Sequence, residues 1–269
     1  MQTSICFTLL GTGSSGGVPR VGNQWGQCDP NNPKNRRRRC AILVESITET
    51  GKTSVLIDAG ADCREQLLSA EVQHLDSVLL THSHADHIFG LDDLRQLALV
   101  MKTPIPVHMD DKTAETVMAC FGYIFHQAPK SSYPAFCTPM NIEHDKIISV
   151  DGAGGTLKFQ PIVAEHGDIH ALGFKVGNVA YLPDMKRISD SNSLAALQHL
   201  DVLIIDCLRE VEHPAHLSLS ESLAFIEQHK PKRTVLTNMH SDLDYQTLLD
   251  RLPEHIVPGF DGFQLELRH

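Results

Sequence analysis

Four residues with metal-binding side chains lie within a six-residue stretch. They are His82, His84, Asp86 and His87, in the order His-x-His-x-Asp-His. Imidazole and carboxylate groups are the ligands that borderline divalent cations such as zinc and manganese accept in proteins. A polar loop with a capping Asp86 and solvated histidines would account for one such residue, but not for this density. The spacing therefore predicts a metal site, with Asp86 among its catalytic residues.

The residues around this stretch predict the elements that hold it. Val78–Leu80 is too short an apolar run for a helix and is typical of a buried strand. The apolar positions that follow recur every three or four residues and predict a helix. They are Ile88, Leu91, Leu94, Leu97 and Ala98. In the turn between strand and helix, His82 and His84 can face one side, whereas Asp86 and His87 turn toward a second point.

Further ligand-type residues stand at the ends of later predicted strands. His166 follows a strand predicted for 156–163, and Asp184 follows a hairpin whose turn is 177–178. A pair of ions needs a third histidine for the first ion and a carboxylate between both, and these two residues can supply them. His170 is the alternative third histidine, and we prefer His166 because it follows the strand directly.

Other acids and histidines predict support for the ligands. Asp58 ends a predicted strand and would accept a hydrogen bond from a ligand histidine, or cap the helix that starts near Asp62. Asp206 ends another predicted buried strand, 201–206, and is expected to support a ligand in the same way. His213 and His216 follow it, and we expect one of them, preferably His216, to be a catalytic histidine outside the ligand set.

A glycine-rich segment follows the first predicted strand at 5–10. It reads Gly-x-Gly-x-x-Gly from Gly11 to Gly16, a motif that opens a helix in dinucleotide-binding folds. Pro19 and Gly22 prevent a helix here, so we reject that interpretation. We expect the glycines to let the backbone approach the metal site closely.

Four consecutive arginines, Arg36–Arg39, form the strongest basic run in the chain. One interpretation is a solvated face that leads into the strand predicted for 40–44. The other places Arg36 or a neighbour near a substrate phosphate, because the guanidinium fork suits that group.

Composition limits the class of protein. A chain of 269 residues with 42% hydrophobic and 21% charged residues can bury a sizeable core, and no linker or repeat divides it, so we expect a single domain over 1–269. No apolar run approaches the roughly 20 residues of a membrane span, and the first residues lack a signal-peptide pattern. Seven scattered cysteines fit a reducing compartment, so we expect a cytoplasmic protein without a membrane partner. The net charge of −10 disfavours an extended nucleic-acid partner.

The ordered motif resembles the signature of the metallo-β-lactamase superfamily of binuclear hydrolases. That resemblance implies an α/β fold, a four-layer αββα sandwich of two mixed sheets with helices outside. It also implies two divalent ions, zinc or manganese, with Asp184 between them. The ligand set would be His82, His84, Asp86, His87, His166, Asp184 and His240. His240 is the histidine available after the final predicted strand at 233–237, although relatives place this ligand directly after the threonine, where Asn238 stands.

Further blocks resemble the phosphonate-pathway cyclic phosphodiesterase branch, which is related to ribonuclease Z. These blocks are Gly11–Gly13, Asn35–Arg37, Asp206-Cys207, His213-Pro214 and 258–262. The resemblance implies hydrolysis of a small, cyclic phosphodiester by a hydroxide that bridges the ions. His216, or His213 as second choice, would bind phosphate or protonate the leaving group, and Arg36 and His213 would contact the substrate.

Several questions stay open at the level of sequence. Branch relatives carry a cysteine cluster that holds a structural zinc, but only Cys28 follows the glycine-rich segment here, so we predict no such zinc. The stretch 122–146 is either a flap over the substrate or a wall of the fold. A thioester or lactone hydrolase, a tRNA 3′-processing nuclease and a binding protein without activity are the alternatives, and a second copy of the chain is the protein partner we consider.

Overall fold

Two seven-stranded sheets hold most of the apolar sequence, and the computed structural model describes them within residues 4–268. In chain order the strands are β1 (Ser4–Gly11), β2 (Ala41–Thr48), β3 (Gly51–Ile57), β4 (Ser77–Leu79), β5 (Ile105–Met109), β6 (Cys137–Asn141), β7 (Ile148–Gly152), β8 (Gly155–His166), β9 (Ile169–Val176), β10 (Val179–Leu182), β11 (Val202–Asp206), β12 (Arg233–Thr237), β13 (Ile256–Pro258) and β14 (Gln264–Arg268). The first sheet has the order β14-β1-β2-β3-β4-β5-β6, and the second β13-β12-β11-β10-β9-β8-β7.

The helices are short and lie between the strands in sequence. They are α1 (Cys63–Ser69), α2 (Ala85–Ile88), α3 (Arg95–Met101), α4 (Asp111–Phe125), α5 (Ser191–Ala196), α6 (Leu219–His229) and α7 (Tyr245–Leu249), with 3-10 turns at Pro33–Asn35 and Leu91–Leu94. Among residues 4–268, no helix has the length and apolar character that crossing a membrane requires.

Alternation along the strands explains why the molecule has four layers. In β2, Ile42 and Val44 point into the core between the sheets, whereas Leu43 points to the core shared with the first set of helices. In β11, Ile204 faces the inter-sheet core and Leu203 faces the core under the second set of helices. Each sheet therefore buries both faces, and the predicted αββα sandwich is confirmed.

The strand directions bring the predicted ligands to one edge of the sandwich. In the first sheet β3, β4 and β5 are parallel neighbours, and in the second β10, β11 and β12 are parallel. β8 runs in the same direction as β10, because both are antiparallel to β9. A backbone hydrogen bond of 2.8 Å from Leu172 N to Thr81 O joins the sheets near this edge. The carboxyl ends of β3, β4, β8, β10, β11 and β12, six of these strands, thus meet around one space.

The end of the chain completes the first sheet. β14 pairs with β1 in antiparallel register, from Ser4 opposite Arg268 to Thr8 opposite Gln264. Just before β14, the Asp261 carboxylate accepts hydrogen bonds from the Thr12 amide at 3.0 Å and the Arg38 amide at 2.7 Å. The C-terminal segment therefore fixes both the glycine-rich segment and the arginine run.

Several predicted elements differ in extent from the observed ones. The strand predicted as final, 233–237, is β12, and two short strands follow it. The helix predicted to run on from Ile88 is divided into α2, a 3-10 turn and α3. At the division, the Gly90 amide donates a hydrogen bond of 2.8 Å to the Ala59 carbonyl oxygen, and a Cβ on Gly90 would overlap the Gly60 carbonyl oxygen. Within 122–146, residues 137–141 form the edge strand β6 and pair with β5, so this part is a wall of the fold.

The glycine-rich segment 11–20 has no helix, which agrees with rejecting a dinucleotide fold. Gly13 instead forms isolated bridges to Arg39 and Met239. A Cβ at Gly13 would lie 2.9 Å from the Cβ of Arg37, so the close approach that requires glycine is to the arginine run.

A capping box begins the helix that follows His216. The Ser218 hydroxyl accepts a hydrogen bond from the Glu221 amide at 3.4 Å, and Glu221 Oε2 accepts one from the Ser218 amide at 2.9 Å. Ser218→Ala should lower the free energy of unfolding by about 1 kcal/mol. The midpoint of thermal unfolding should fall by about 2–4 °C, as measured by circular dichroism. Gln228→Ala, on the exposed face of α6, is the control, and an equal midpoint for both variants would contradict the capping role.

Candidate metal centre

Four side chains from distant parts of the chain converge at the carboxyl ends of the strands. The Nε2 atoms of His82 and His166 lie 2.9 and 3.3 Å from the Nδ1 atom of His84. The Oδ2 atom of Asp184 lies 3.7 Å from His82 Nε2 and 3.6 Å from His166 Nε2. Two ligand atoms of one tetrahedral zinc ion are about 3.4 Å apart, since each lies about 2.1 Å from the ion. The four side chains have the spacing that one divalent ion needs, and we call them the first position.

A second group of donors shares the same aspartate oxygen. His87 Nε2 lies 3.4 Å from Asp86 Oδ2 and 3.5 Å from Asp184 Oδ2. This nitrogen is fully buried and has no hydrogen-bond partner. Because a buried polar atom without a partner is costly, the arrangement fits a site that a cation completes. We call these three side chains the second position.

The surroundings of the shared aspartate favour its ionised form. Burial raises the pKa of Asp184, but the imidazole rings of His87 and His82 beside it outweigh burial and hold the pKa well below its usual range. A carboxylate that is charged at neutral pH can serve both positions.

Asp58 determines which nitrogen two of the histidines present. It directly follows β3 and has a φ of +67°. Its Oδ2 atom accepts hydrogen bonds from His87 Nδ1 at 2.7 Å and from the Thr81 hydroxyl at 2.9 Å. The Thr81 oxygen in turn accepts one from His82 Nδ1 at 2.9 Å. With Nδ1 donating its proton, each Nε2 atom carries the lone pair that a metal ion needs. The structure thus places Asp58 behind the histidines, and Asp62, not Asp58, is the residue that precedes α1.

The residues after Asp58 hold the ligand stretch through its backbone. The Ala59 amide donates a hydrogen bond of 2.8 Å to the carbonyl oxygen of His87. A Cβ at Gly60 would overlap the carbonyl oxygen of Asp86. A larger residue at position 60 would therefore push the ligand stretch away from β3.

His166 comes to the first position from the second sheet. It is the last residue of β8, and its Nδ1 atom donates to the Ala215 carbonyl oxygen at 2.8 Å, which leaves Nε2 for an ion. His170 is exposed on β9, opposite Glu165, and does not belong to the group. Of the two alternatives, the structure brings His166 to the site.

His216 lies beside the first position. Its ring centroid is 4.5 Å from that of His166, and its Nδ1 atom donates to Asp206 Oδ2 at 2.8 Å. Asp206 is fully buried at the end of β11 and also accepts a hydrogen bond from the Met185 amide at 3.1 Å. Burial alone lowers the pKa of His216, but the Asp206 carboxylate outweighs burial and raises the pKa to about 9. His216 is therefore a cation at neutral pH, with its Nε2–H left for an anion.

His240 is turned away from the second position. Its Nδ1 atom lies 3.0 Å from Asp242 Oδ1, and its backbone amide donates to the Leu208 carbonyl oxygen at 2.8 Å. The ring of the histidine expected as the last ligand thus contacts an exposed acid through Nδ1. Two residues before it, the chain turns at Asn238, where φ is +58°.

The two residues predicted to contact substrate lie in different surroundings. The ring centroid of His213 is 5.1 Å from that of His216, so His213 borders the site. Arg36 is exposed, and its guanidinium lies over the Trp25 ring at 5.5 Å. It lines a cavity of about 800 Å³ between the glycine-rich segment and the arginine run.

Sequence reasoning missed Thr81 and Ala215. The Thr81 hydroxyl links Asp58 to His82 through two hydrogen bonds, and the Ala215 carbonyl oxygen orients the ring of His166. A hydroxyl residue between a buried strand and the first histidine was a usable signal for Thr81. A backbone carbonyl leaves no signal in the sequence.

Known proteins resemble this chain in sequence and fold. The sequence profile of the β-lactamase superfamily domain matches residues 53–239. A crystal structure described as a new diphosphatase from the PhnP family is 33% identical, covers 100% of this chain and 99% of that one, and superposes with a TM-score of 0.86. The match to both sheets over nearly the whole of each chain extends the relationship beyond the metal-binding motif.

Two named relatives match over part of their length. An octanoyltransferase of Porphyromonas gingivalis is 34% identical over 263 residues, which are 95% of this chain and 50% of that protein. A ribonuclease Z of Bradyrhizobium diazoefficiens is 42% identical over 153 residues, 53% of this chain and 45% of that protein. The chain thus spans half of these relatives or less. On the profile match and the near-complete structural match, the chain belongs to the PhnP family of the β-lactamase superfamily and is a metal-dependent hydrolase.

Proposed function

We propose that this chain hydrolyses a small, cyclic phosphodiester with a pair of divalent ions, zinc or manganese. The ligands in this proposal are His82, His84, Asp86, His87, His166 and Asp184. The observation that carries it is the single Asp184 oxygen, which lies within 3.7 Å of three histidine Nε2 atoms in two donor groups. The relationship to a diphosphatase supports phosphorus, rather than a carbonyl carbon, as the atom attacked.

The protein's own residues would support the chemistry of bound ions in two ways. Bound ions would supply an acidified water as nucleophile and stabilise charge on the phosphoryl oxygens. Asp58, Thr81 and the Ala215 carbonyl hold three ligand rings with Nε2 toward the ions. Asp206 keeps His216 protonated, so that its Nε2–H can donate to the phosphate or to the leaving oxygen.

The charge distribution supports a small substrate. The chain carries a net charge of −10, and two of the four consecutive arginines are already paired, Arg38 with Asp261 and Arg39 with Asp62. Arg36 and His213 are left to contact a phosphate or the group attached to it. Such a surface suits one or two phosphates better than an RNA chain.

A substrate panel tests the reaction class. Purified protein loaded with zinc or manganese would be assayed on an aryl phosphodiester, a 2′,3′-cyclic nucleotide, a thioester, a lactone and a precursor tRNA. We expect the highest kcat/KM on the cyclic phosphodiester. Preference for the thioester or lactone would contradict the proposal and indicate an acyl hydrolase. Cleavage of precursor tRNA with little turnover of small diesters would indicate a tRNA-processing nuclease.

Salt provides an independent measurement of substrate size. Between about 50 and 200 mM salt, a protein with 6–10 phosphate contacts loses about 10³–10⁵-fold in affinity. We expect kcat/KM for a cyclic phosphodiester to fall by less than about tenfold over that range, since one phosphate makes few contacts. A loss of several thousandfold would show that an extended polyanion is the ligand.

A further inference from the structure

The two metal positions have different donors. The first has three imidazole nitrogens and one carboxylate oxygen, from His82, His84, His166 and Asp184. The second has one imidazole nitrogen and two carboxylate oxygens, from His87, Asp86 and the same Asp184. Imidazole suits zinc, whereas carboxylate and carbonyl oxygens and water suit manganese and magnesium. Whether the two positions differ in metal preference depends on whether the residue after β12 supplies a further ligand to the second position.

Asn238 occupies the end of β12, and its side chain is oriented by two acids. Its Nδ2 atom lies 3.1 Å from Asp184 Oδ1 and 3.2 Å from Asp206 Oδ1, and the residue is 2% exposed. Ionised carboxylates only accept hydrogen bonds, so the amide nitrogen, not the amide oxygen, must face them. Both amide protons are then used, and this nitrogen cannot coordinate an ion.

The same contacts determine which oxygen Asp184 offers. Asn238 holds Oδ1 of Asp184, and Oδ2 is the atom that lies among the histidines His82, His87 and His166. Asn238 is therefore a positioning residue for the shared aspartate.

The two imidazoles closest to Asn238 in sequence or space are not placed to act as a ligand instead. His216 Nδ1 lies 3.1 Å from Asn238 Nδ2. The Nδ1 atom of His240 lies 3.0 Å from Asp242 Oδ1, and the charged groups that act on its ring are Asp242, Arg20 and Arg209, not the ligand carboxylates. Its carbonyl oxygen accepts a hydrogen bond from buried Arg37 at 3.3 Å. His216 donates its Nδ1 proton to Asp206. Within residues 4–268, the group of side chains spaced for an ion that includes Asp184 contains His82, His84 and His166.

We infer that Asn238 makes the metal pair unequal: the first position retains zinc, and the second is a weaker, oxygen-rich position that favours manganese. The inference rests on the proposed function only in that both use the same six ligands. Because changes outside the ligand set already alter metal affinity by about 10–100-fold, lack of an imidazole ligand should weaken the second ion by at least about tenfold.

Metal binding can be measured without any substrate. Metal-free protein would be titrated with zinc and with manganese by calorimetry, and bound metal counted by elemental analysis after gel filtration. We expect one zinc per chain to be retained, and a second ion to bind at least about tenfold more weakly. Protein that already holds one zinc should still take up manganese at the second position.

Two variants make the test specific. Asn238→His should supply the missing imidazole and retain two zinc ions per chain. His240→Ala should bind metal as the unchanged protein does, because the charged groups that act on its ring are Asp242, Arg20 and Arg209 and not the ligand carboxylates. Circular dichroism would establish that each variant is folded.

The inference is overturned if the unchanged protein retains two zinc ions of similar affinity, or if His240→Ala loses the second ion. It is also overturned if folded Asn238→His binds its second zinc no more tightly. Were Asn238→His unfolded, the unchanged protein and His240→Ala would still decide the matter. Failure to hydrolyse phosphodiesters would count against the proposed function and leave these metal affinities standing.

Discussion

Asp184→Asn is expected to reduce kcat/KM on the best substrate of the panel by at least about a thousandfold, the upper range for loss of one charge-stabilising group. Asp184 Oδ2 is within 3.7 Å of His82, His87 and His166, so one substitution removes a charged donor from both metal positions. The substitution would also replace the charged acceptor of the Asn238 hydrogen bond with an uncharged amide. Kinetics and elemental analysis on the same sample would show the loss of turnover together with loss of metal.

Asp168→Asn is the matched control for charge. Asp168 is exposed in the turn between β8 and β9, two residues from His166, and has the same side chain. Its substitution should leave turnover and metal content near those of the unchanged protein. If Asp184→Asn kept full metal content and activity, the shared-aspartate arrangement would be wrong.

His216→Ala has the second largest expected effect, and its size should depend on the leaving group. A positioned general acid contributes about 10²–10⁴-fold. The loss should approach this range for an alkoxide leaving group, which needs a proton, and should be much smaller for p-nitrophenolate, which does not. Metal content should stay unchanged, because His216 donates to Asp206 and is not among the ligands.

His213→Ala is the comparison, since it removes the neighbouring imidazole. We expect a smaller effect that is the same for both leaving groups. Equal losses across leaving groups in His216→Ala would indicate phosphate binding instead of proton donation. A leaving-group effect confined to His213→Ala would reverse the assignment of the two histidines.

The dependence of activity on pH separates the roles of His216 and Asp206. An acid must be protonated, so activity should fall as pH rises through the pKa of His216, which Asp206 raises to about 9. Asp206→Asn removes the charge that raises this pKa, and the fall in activity should move to lower pH. An unchanged alkaline limb in Asp206→Asn would show that His216 is not the acid whose titration limits turnover.

Local patterns predicted the metal-binding motif and the strand ends around it, whereas the resemblance to the superfamily implied the fold and the full ligand set. The motif from His82 to His87 lies between a strand and a helix, and His166 and Asp184 each stand at a strand end, so strand direction alone brings them together. Asp58 and Asp206 were identified for the same reason, as acids at the ends of buried strands. In each case neighbours in sequence determine the geometry.

What could not be predicted depends on contacts between distant segments. Whether His240 or Asn238 faces the site is decided by hydrogen bonds to Asp184, Asp206 and Asp242, which depend on the turn after β12. The break after α2 depends on Gly90 packing against Gly60 from another strand end. β13 and β14 are short strands of three and five residues at sheet edges, where few residues establish a pattern.

The pairing of β14 with β1 has a consequence during protein synthesis. About 250 residues separate the end of β1 from the start of β14, and at about 5–20 residues per second a ribosome needs roughly 10–50 s to make them. Through that interval β1 keeps one open edge, and an open edge is a template for pairing with other chains. Asp261 is also made late, so Thr12 and Arg38 lack their common acceptor until residue 261 has emerged from the ribosome. The yield of folded enzyme in a cell should therefore be limited by how well the nascent first sheet is kept from other chains until its last strand arrives.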